Sequence, residues 1–520
     1  MDGEDWLSRY PHVSPEPAGQ VLVLAARIRG SDLDLKAELG RLLALFLAAV
    51  IIRLAYIAST PLDAAISSTD AWGYHRLALN MDQGHGFSLR RQAPYVPESV
   101  RTPLYPAFLL LVRRSLGSSP RVAAIVQAVL DGCTAVLTWW LARQVGGRRA
   151  GRVAALLYAF SPTQVRYVNQ LLTETLLSFL LTLTVCALTR YIRSASAWNS
   201  ASVQSYTPSI PRQSRRAVPW IVLVALLTGL AALCKPNVQF LPLIWLLVIA
   251  LVHRHNWRRG WTEAGLMMIT VLCVLAPWVV RNQLAFGRWF LSTAFEGNVS
   301  RISAPATLAV ARGQYVSPWS TEWEALFGEI VSQAAARYRW NKPWDTLTAR
   351  ELDTANYQVY TAACQVLRRN PVAWLGSHAQ GMGRYLEPQT YQVCYAQFSG
   401  REWPPDILDD AVIHVLRAVG HVDWAKAAQI IAQERWAKLD LLQGTIWWGT
   451  FAGQIVGLGL LSRGAWRLRR EPAVAVTLLA TIGYVLWMPG PIAYERFRVP
   501  VMSLILALIG KSVSRGAQNS

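Results

Sequence analysis

The sequence predicts an all-α integral membrane protein, with about ten spanning helices and a small helical domain outside the bilayer, and three observations predict it. The 520 residues are 53% hydrophobic and only 16% charged, against about 25% charged in an ordinary soluble protein. Apolar runs recur along the chain, separated by short basic gaps. The 23 Trp, 18 Tyr and 13 Phe are too many large apolar side chains for a chain that avoids burial. An ordinary cytosolic enzyme, a disordered chain and a collagen-like repeat are thereby excluded. The 51 Lys and Arg outnumber the 31 Asp and Glu, giving a formal charge of +20. They lie between apolar runs, as orientation signals do, and form no long basic face interleaved with aromatics, so nucleic acid is not an expected partner.

The elements follow in order. Residues 1–40 are charged and lack an apolar core with a small-residue cleavage site, so they read as a cytoplasmic segment before an uncleaved first span. The transmembrane core, residues 41–287, carries spans near Arg41–Ser59, Val122–Leu141, Gly151–Pro162, Leu171–Ile192, Val218–Leu233, Pro236–Val252 and Trp261–Val280. Residues 442–520 add Gly444–Leu461, Ala473–Met488 and Phe497–Gly510. Several are shorter than the roughly 20 residues a spanning helix prefers, and the Gly151 segment is the weakest. With the N-terminus inside, Arg143, Arg148, Arg149, Arg152, Arg190, Arg193, Arg254, Arg258, Arg259, Arg463, Arg467, Arg469 and Arg470 all face the cytoplasm. That orientation requires Thr102–Val112, with its two prolines, to lie along the interface rather than cross.

Outside the bilayer the reading places a first loop, residues 61–121, a helical domain, residues 288–441, and the turn Pro489–Arg496. Within the outer domain, Trp323–Trp340, Leu347–Asn370 and Pro371–Leu386 show helical periodicity. Ser194–Ala217, rich in Ser, Pro and Arg, reads as a disordered linker. Cys133, Cys186, Cys234 and Cys273 lie in apolar runs, where a thiol acts as a small hydrophobe. Cys364 and Cys394 lie outside them and can pair only in an oxidising compartment.

Basic residues on the outer face run against the orientation signal and so call for a reason. Arg101, Lys235, Arg281, Arg496 and Arg498 sit at or near the outer ends of spans, a ring of cations suited to a phosphate; singly, each could instead snorkel to lipid headgroups. The first outer loop adds acids. Asp70 begins a run in which Asp70, Tyr74, Leu77, Ala78 and Met81 share one helical face, so its carboxylate either takes a proton from an acceptor hydroxyl or caps the helix. Glu174, near the start of an apolar run, faces the bundle interior either at a site or in an ion pair with Arg166 or another span's Arg. His75 and His85 with Asp70 offer a divalent-metal alternative to hydrogen bonding within the loop, although their spacing matches no strong metal signature.

These residues form collinear motifs. Asp70 to Tyr74, the Gly84-x-Gly-Phe-Ser88 run and the Arg101-x-Pro-x-Tyr-Pro106 run are followed by Ser161-Pro162, Thr173-Glu174, Lys235-Pro236, APWVVRN ending at Asn282 and YERFRVP ending at Pro500. The set resembles the membrane-embedded GT-C glycosyltransferases, in particular the branch with protein O-mannosyltransferases and the aminoarabinose transferases of lipid A. The resemblance implies a multi-pass protein of the bacterial plasma membrane that moves a sugar, with inversion, from a polyprenyl-phosphate donor to a hydroxyl of a lipid, glycan or protein acceptor outside the cytoplasm. Asp70 would be the general base. Arg101 and Tyr105 would contact the carrier phosphate, with Lys235, Arg281, Arg496 and Arg498 as further phosphate ligands and Tyr74 and His75 beside the substrate. Glu174 would orient the acceptor or the sugar; breaking the phosphate–sugar bond needs no nucleotide, and a divalent metal is a possible cofactor. Many relatives carry a paired Asp-Glu where Asp70 is here followed by Ala71. The rival expectation is a transporter or scramblase of lipid-linked sugars, for which intramembrane charges and broken helices are also expected.

Overall fold

The computed structural model describes residues 17–204, 217–314, 316–340, 342, 347–386, 389–401, 425, 429 and 440–514, with side chains from Lys36 onward and none for residues 196–204. The described residues form helices and no strand. Residues 1–16 and part of the expected linker, 205–216, lie outside the described residues, and the rest of the expected N-terminal segment is already the start of the first helix. The rest of that linker departs from expectation: α6, Glu174–Gln204, stays helical through its Ser and Ala residues.

The membrane part begins with α1, Pro17–Ala58. The segment that follows α1 carries α2, Thr69–Asp82, and α3, Leu104–Ser115; α3 is 12 residues long, too short to cross a bilayer. Helix α4, Pro120–Ala159, contains Gly147 at φ 82°, where the chain reverses between two helical arms. Only glycine takes that φ without strain. The arms lie against each other, since the Tyr158 hydroxyl donates to Asp131 at 2.7 Å. The short α5, Pro162–Val168, leads to α6, followed by α7, Val218–Cys234, α8, Leu241–Val252, and α9, Trp257–Phe286. Towards the C-terminus come α16, Leu441–Arg467, α17, Pro472–Trp487, and α18, Met502–Val513.

The ten expected spans are not all recovered. Among the described residues, four helical stretches are long and apolar enough to cross a membrane: Lys36–Ala58, Pro120–Ala159, Glu174–Ala195 and Trp257–Phe286. Val218–Cys234, Pro236–Val252 and Pro472–Trp487 are apolar but shorter. The expected span Phe497–Gly510 starts instead as a tight 3₁₀ segment, Glu495–Val501, before α18. Pro500 lies inside that segment, and its lost N–H and fixed φ disfavour an α-helix there.

The largest core joins α4, α6, α7, α8, α17 and α18 through Tyr158, Leu177, Leu181, Trp245, Leu478 and Leu504. Inside the membrane part Arg53 of α1 meets Asp131 of α4 at 2.5 Å, with the side chains 0% and 1% exposed. Arg53 also donates to the Ala49 and Ala159 carbonyls, both at 2.9 Å. Between α9 and α16 lies a group of shorter helices, α10, Ala294–Asn298, α11, Ala304–Ala311, α12, Thr321–Tyr338, α13, Ala349–Arg369, α14, Pro371–Gly383, and α15, Gln389–Ser399. Its own small core, Val299, Ile330, Ala334, Val359 and Ala363, holds α12 and α13 together. Cys364 and Cys394 are both free thiols.

Candidate active site

The site starts from the ends of helices. Ser68 caps α2 by accepting from the Ala71 N–H at 3.2 Å, so the cap is taken and Asp70 in the first turn is left for other partners. Its Oδ1 accepts from Arg101 at 3.2 Å and its Oδ2 from Arg496 at 2.9 Å. The Arg496 Nε donates to Glu174 at 2.7 Å, and the Lys235 ammonium donates to the same Glu174 oxygen at 2.7 Å. The order is Arg101, Asp70, Arg496, Glu174, Lys235, one continuous chain of charges from residues far apart in sequence.

Local structure explains how each arrives. Glu174 is the first residue of α6, where the helix dipole favours a carboxylate. Lys235 follows the last residue of α7, in extended backbone that leads into Pro236. Arg496 lies in the 3₁₀ segment before α18. Arg101 packs flat across α2: a Cβ at Gly73 would come within 2.8 Å of its guanidinium, so only glycine leaves it room. The same guanidinium stacks over Tyr74, 5.3 Å from the ring centre.

Three cations against two carboxylates leave one positive charge in excess, and exposure is divided unevenly along the chain of charges. The Asp70 side chain is 48% exposed while Glu174 is 0% exposed. Burial pushes the Asp70 pKa up, but Arg496, hydrogen-bonded to it, and Arg101 outweigh that and hold the carboxyl below the usual carboxylate range. Asp70, Tyr74, Arg101, Lys235 and Arg496 all line one cleft of about 1660 Å³, counted with the open space at its mouth. The arrangement presents an ionised carboxylate flanked by guanidinium and ammonium groups with anion-binding capacity to spare.

Other expected site residues lie elsewhere. Glu174 does not line the cleft; it lies beneath Arg496 and Lys235 as their shared counter-ion, so its partners are those two and not Arg166. Tyr105 is buried, its hydroxyl donating to Gln127 at 2.7 Å, and it packs edge-on behind Tyr74 at 5.1 Å. Arg281 donates to the Glu98 carbonyl at 2.9 Å and stacks on Trp278, fastening the segment before α3 to α9. Arg498 donates to the Tyr385 carbonyl at 2.9 Å. Neither cation lines the cleft. His75 faces a separate small cavity beside Arg113, and burial lowers its pKa. His85 stacks on Tyr95 at 4.1 Å. Among the described residues no three His, Cys, Asp or Glu side chains are grouped to hold a metal ion.

The sequence reading missed the far wall of the cleft. Trp319, Trp374, His378 and Trp487 line it, as do Asn237 and Asn298. The residues come from a loop, the turn after α7, α10, α14 and α17, and no common spacing links them; the high tryptophan content is the one available signal.

Comparison with known proteins gives a partial likeness. Across its whole length the chain matches no curated protein. The oligosaccharyltransferase of Archaeoglobus fulgidus in its apo form is 14% identical, covers 90% of this chain with a TM-score of 0.46, and is itself covered only to 50%, so the chain spans about half its length. The structure of ArnT from Cupriavidus metallidurans bound to undecaprenyl phosphate is 14% identical, with 91% of this chain and 77% of that chain covered and a TM-score of 0.38. Residues 100–204, the segment that supplies Arg101, Tyr105 and Glu174, match the family described as dolichyl-phosphate-mannose-protein mannosyltransferase, a similarity consistent with a GT-C glycosyltransferase.

Proposed function

We propose that this chain is a membrane glycosyltransferase that takes a sugar from a polyprenyl-phosphate donor and joins it, with inversion, to an acceptor hydroxyl on the non-cytoplasmic side of a bacterial plasma membrane. One observation carries the reading: Asp70, Arg101, Arg496 and Lys235 converge on a single cleft. All of them lie at helix ends or in the segments between helices, whereas a transporter's binding charges belong near mid-bilayer.

The chemistry follows from the cluster's charge. The donor phosphate enters beside Arg101, Arg496 and Lys235, whose excess positive charge it neutralises. As the two arginines turn toward the phosphate, Asp70 loses part of the stabilisation that keeps its pKa low, and its carboxylate becomes a better proton acceptor. The acceptor oxygen forms its bond to the anomeric carbon while the bond from that carbon to the phosphate oxygen breaks. The electron pair leaves with the polyprenyl phosphate, and the hydroxyl proton passes to Asp70. The cations stabilise the charge that grows on the leaving phosphate, and so act where the transition state differs from the ground state. Glu174 is a positioning residue: it holds Arg496 and Lys235 at the depth where the phosphate meets them.

The test is transfer from radiolabelled polyprenyl-phosphate sugars in membranes that contain the full chain. Asp70→Asn should retain binding of undecaprenyl phosphate and lose transfer; a variant that transfers at the wild-type rate removes Asp70 from the reaction.

A further inference from the structure

The proposed chemistry uses one wall of the cleft and leaves the other without a role. On that second wall His378 packs between Trp374, edge-on at 5.1 Å, and Trp487, stacked at 5.1 Å and 29°. Trp319 also lines the cleft, and both Trp319 and Trp487 are exposed. The Arg301 guanidinium lies 5.9 Å from the Trp319 ring centre and His378 covers part of Trp487, yet both indoles keep exposed surface and belong to no core cluster.

The polar groups on this wall are uncharged. His378 places Nδ1 3.1 Å from the Trp374 carbonyl oxygen. A carbonyl only accepts, so Nδ1 bears the proton and Nε2 keeps its lone pair. Burial holds the imidazole pKa below its ordinary value, which keeps the ring neutral. Among the described residues Nε2 has no hydrogen-bond partner. The Asn237 Oδ1 is buried without a partner as well, and the amides of Gln239 and Asn298 line the same space. The cleft's charged side chains, Asp70, Arg101, Lys235 and Arg496, all belong to the bonded cluster on the other wall.

The ligand that fits must have an apolar face for the indoles, hydroxyls for neutral acceptors and amides, and no charge. An isoprenoid tail would strip water from His378 Nε2 and from the Gln239 and Asn298 amides without replacing it. An anionic acceptor would find no cation on this wall. A Ser or Thr side chain has no ring face to offer. A pyranose has both an axial C–H face and a rim of hydroxyls. We propose that this wall is the acceptor subsite and that the acceptor is an uncharged saccharide. Its designation as the acceptor subsite rests on the reading above; the saccharide binding itself does not.

The experiment uses the full chain in lipid nanodiscs, with saturation-transfer NMR and tryptophan fluorescence as readouts. The probes are a panel of neutral mannose, glucose and galactose trisaccharides, a threonine-containing peptide, and undecaprenyl phosphate. At least one trisaccharide should bind saturably. Trp319→Ala, at an exposed position, and His378→Gln should each weaken it about tenfold, the loss expected when a stacking face or a directed acceptor goes, with the thermal midpoint and undecaprenyl phosphate affinity unchanged. Binding of the peptide but no trisaccharide overturns the proposal, and so does a loss of undecaprenyl phosphate affinity in these two variants, which would make the wall a tail groove. If the trisaccharide binds and undecaprenyl phosphate does not bind the wild-type chain, the subsite stands and the glycosyltransferase reading falls.

Discussion

Two charge clusters in this molecule are built from the same groups and differ in what they leave open. In the membrane part Arg53, Asp131 and Tyr158 form a closed knot, one cation to one anion, with the remaining guanidinium hydrogens given to backbone carbonyls. At the cleft, three cations share two carboxylates, and one of those carboxylates is about half exposed. The first cluster has no capacity left for a ligand. The second has a surplus charge, an accessible base and space beside it. Ion pairing alone therefore says little about function; the imbalance and the opening separate a site from a brace.

The sharpest break between the two clusters is predicted in turnover. Asp70→Asn should lower transfer by roughly 10²- to 10⁴-fold, the range for loss of a general base, with the unfolding midpoint nearly unchanged. Asp131→Ala should do the reverse. It leaves Arg53 buried and unpaired, at a cost of about 3–5 kcal/mol of stability, with turnover per folded molecule preserved. Thermal unfolding and transfer assays on the two purified variants check both, and a stable Asp131→Ala protein with impaired transfer would erase the distinction.

A smaller effect comes from the close approach under Arg101. Gly73→Ala sets a Cβ against the guanidinium, which must shift away from Asp70; transfer should fall about tenfold, mostly in kcat, with little loss of stability. Gly73→Ala with full activity would mean Arg101 need not touch Asp70 during the reaction.

The smallest effect is a change in pH dependence. The base works ionised, and in the free protein its pKa is held below the ordinary carboxylate range, so kcat/KM, which reports the free protein, should keep its acid limb below the ordinary Asp range. Arg101→Gln removes one of the groups that lower this pKa, so the acid limb should move to higher pH. The stability that the carboxylate gains from its partners has the same sign: it is complete above the ordinary Asp pKa and is lost as pH falls through the lower folded value. A pH–rate profile of the two proteins measures the shift, and an unmoved acid limb would separate Arg101 from the base.

Much of this was legible in the residues, and the failures have physical causes. Asp70 and Tyr74 stand out by the helical face they share and the motif they begin, and Arg101, Lys235 and Arg496 by their place at the ends of apolar runs, because a charge there needs a stated reason. Arg281 and Arg498 met the same criterion yet spend their guanidinium groups on backbone carbonyls, a use that hydropathy cannot distinguish from phosphate binding. Glu174 was noticed as an ionisable group in an apolar run, but not that it would be buried beneath two cations. The aromatic wall was missed because Trp319, Trp374, His378 and Trp487 share no period.

The chain's covalent order determined the apolar runs, the helices they form and the cap at Ser68, since these depend on neighbours within a few turns. Tertiary structure alone decided that Asp70 and Arg496, 426 positions apart, share a hydrogen bond, and that Arg53 finds Asp131. Such pairings depend on how the helices pack: a buried charge must be matched by whichever opposite charge the packing brings within reach, and that choice is made across space rather than along the chain.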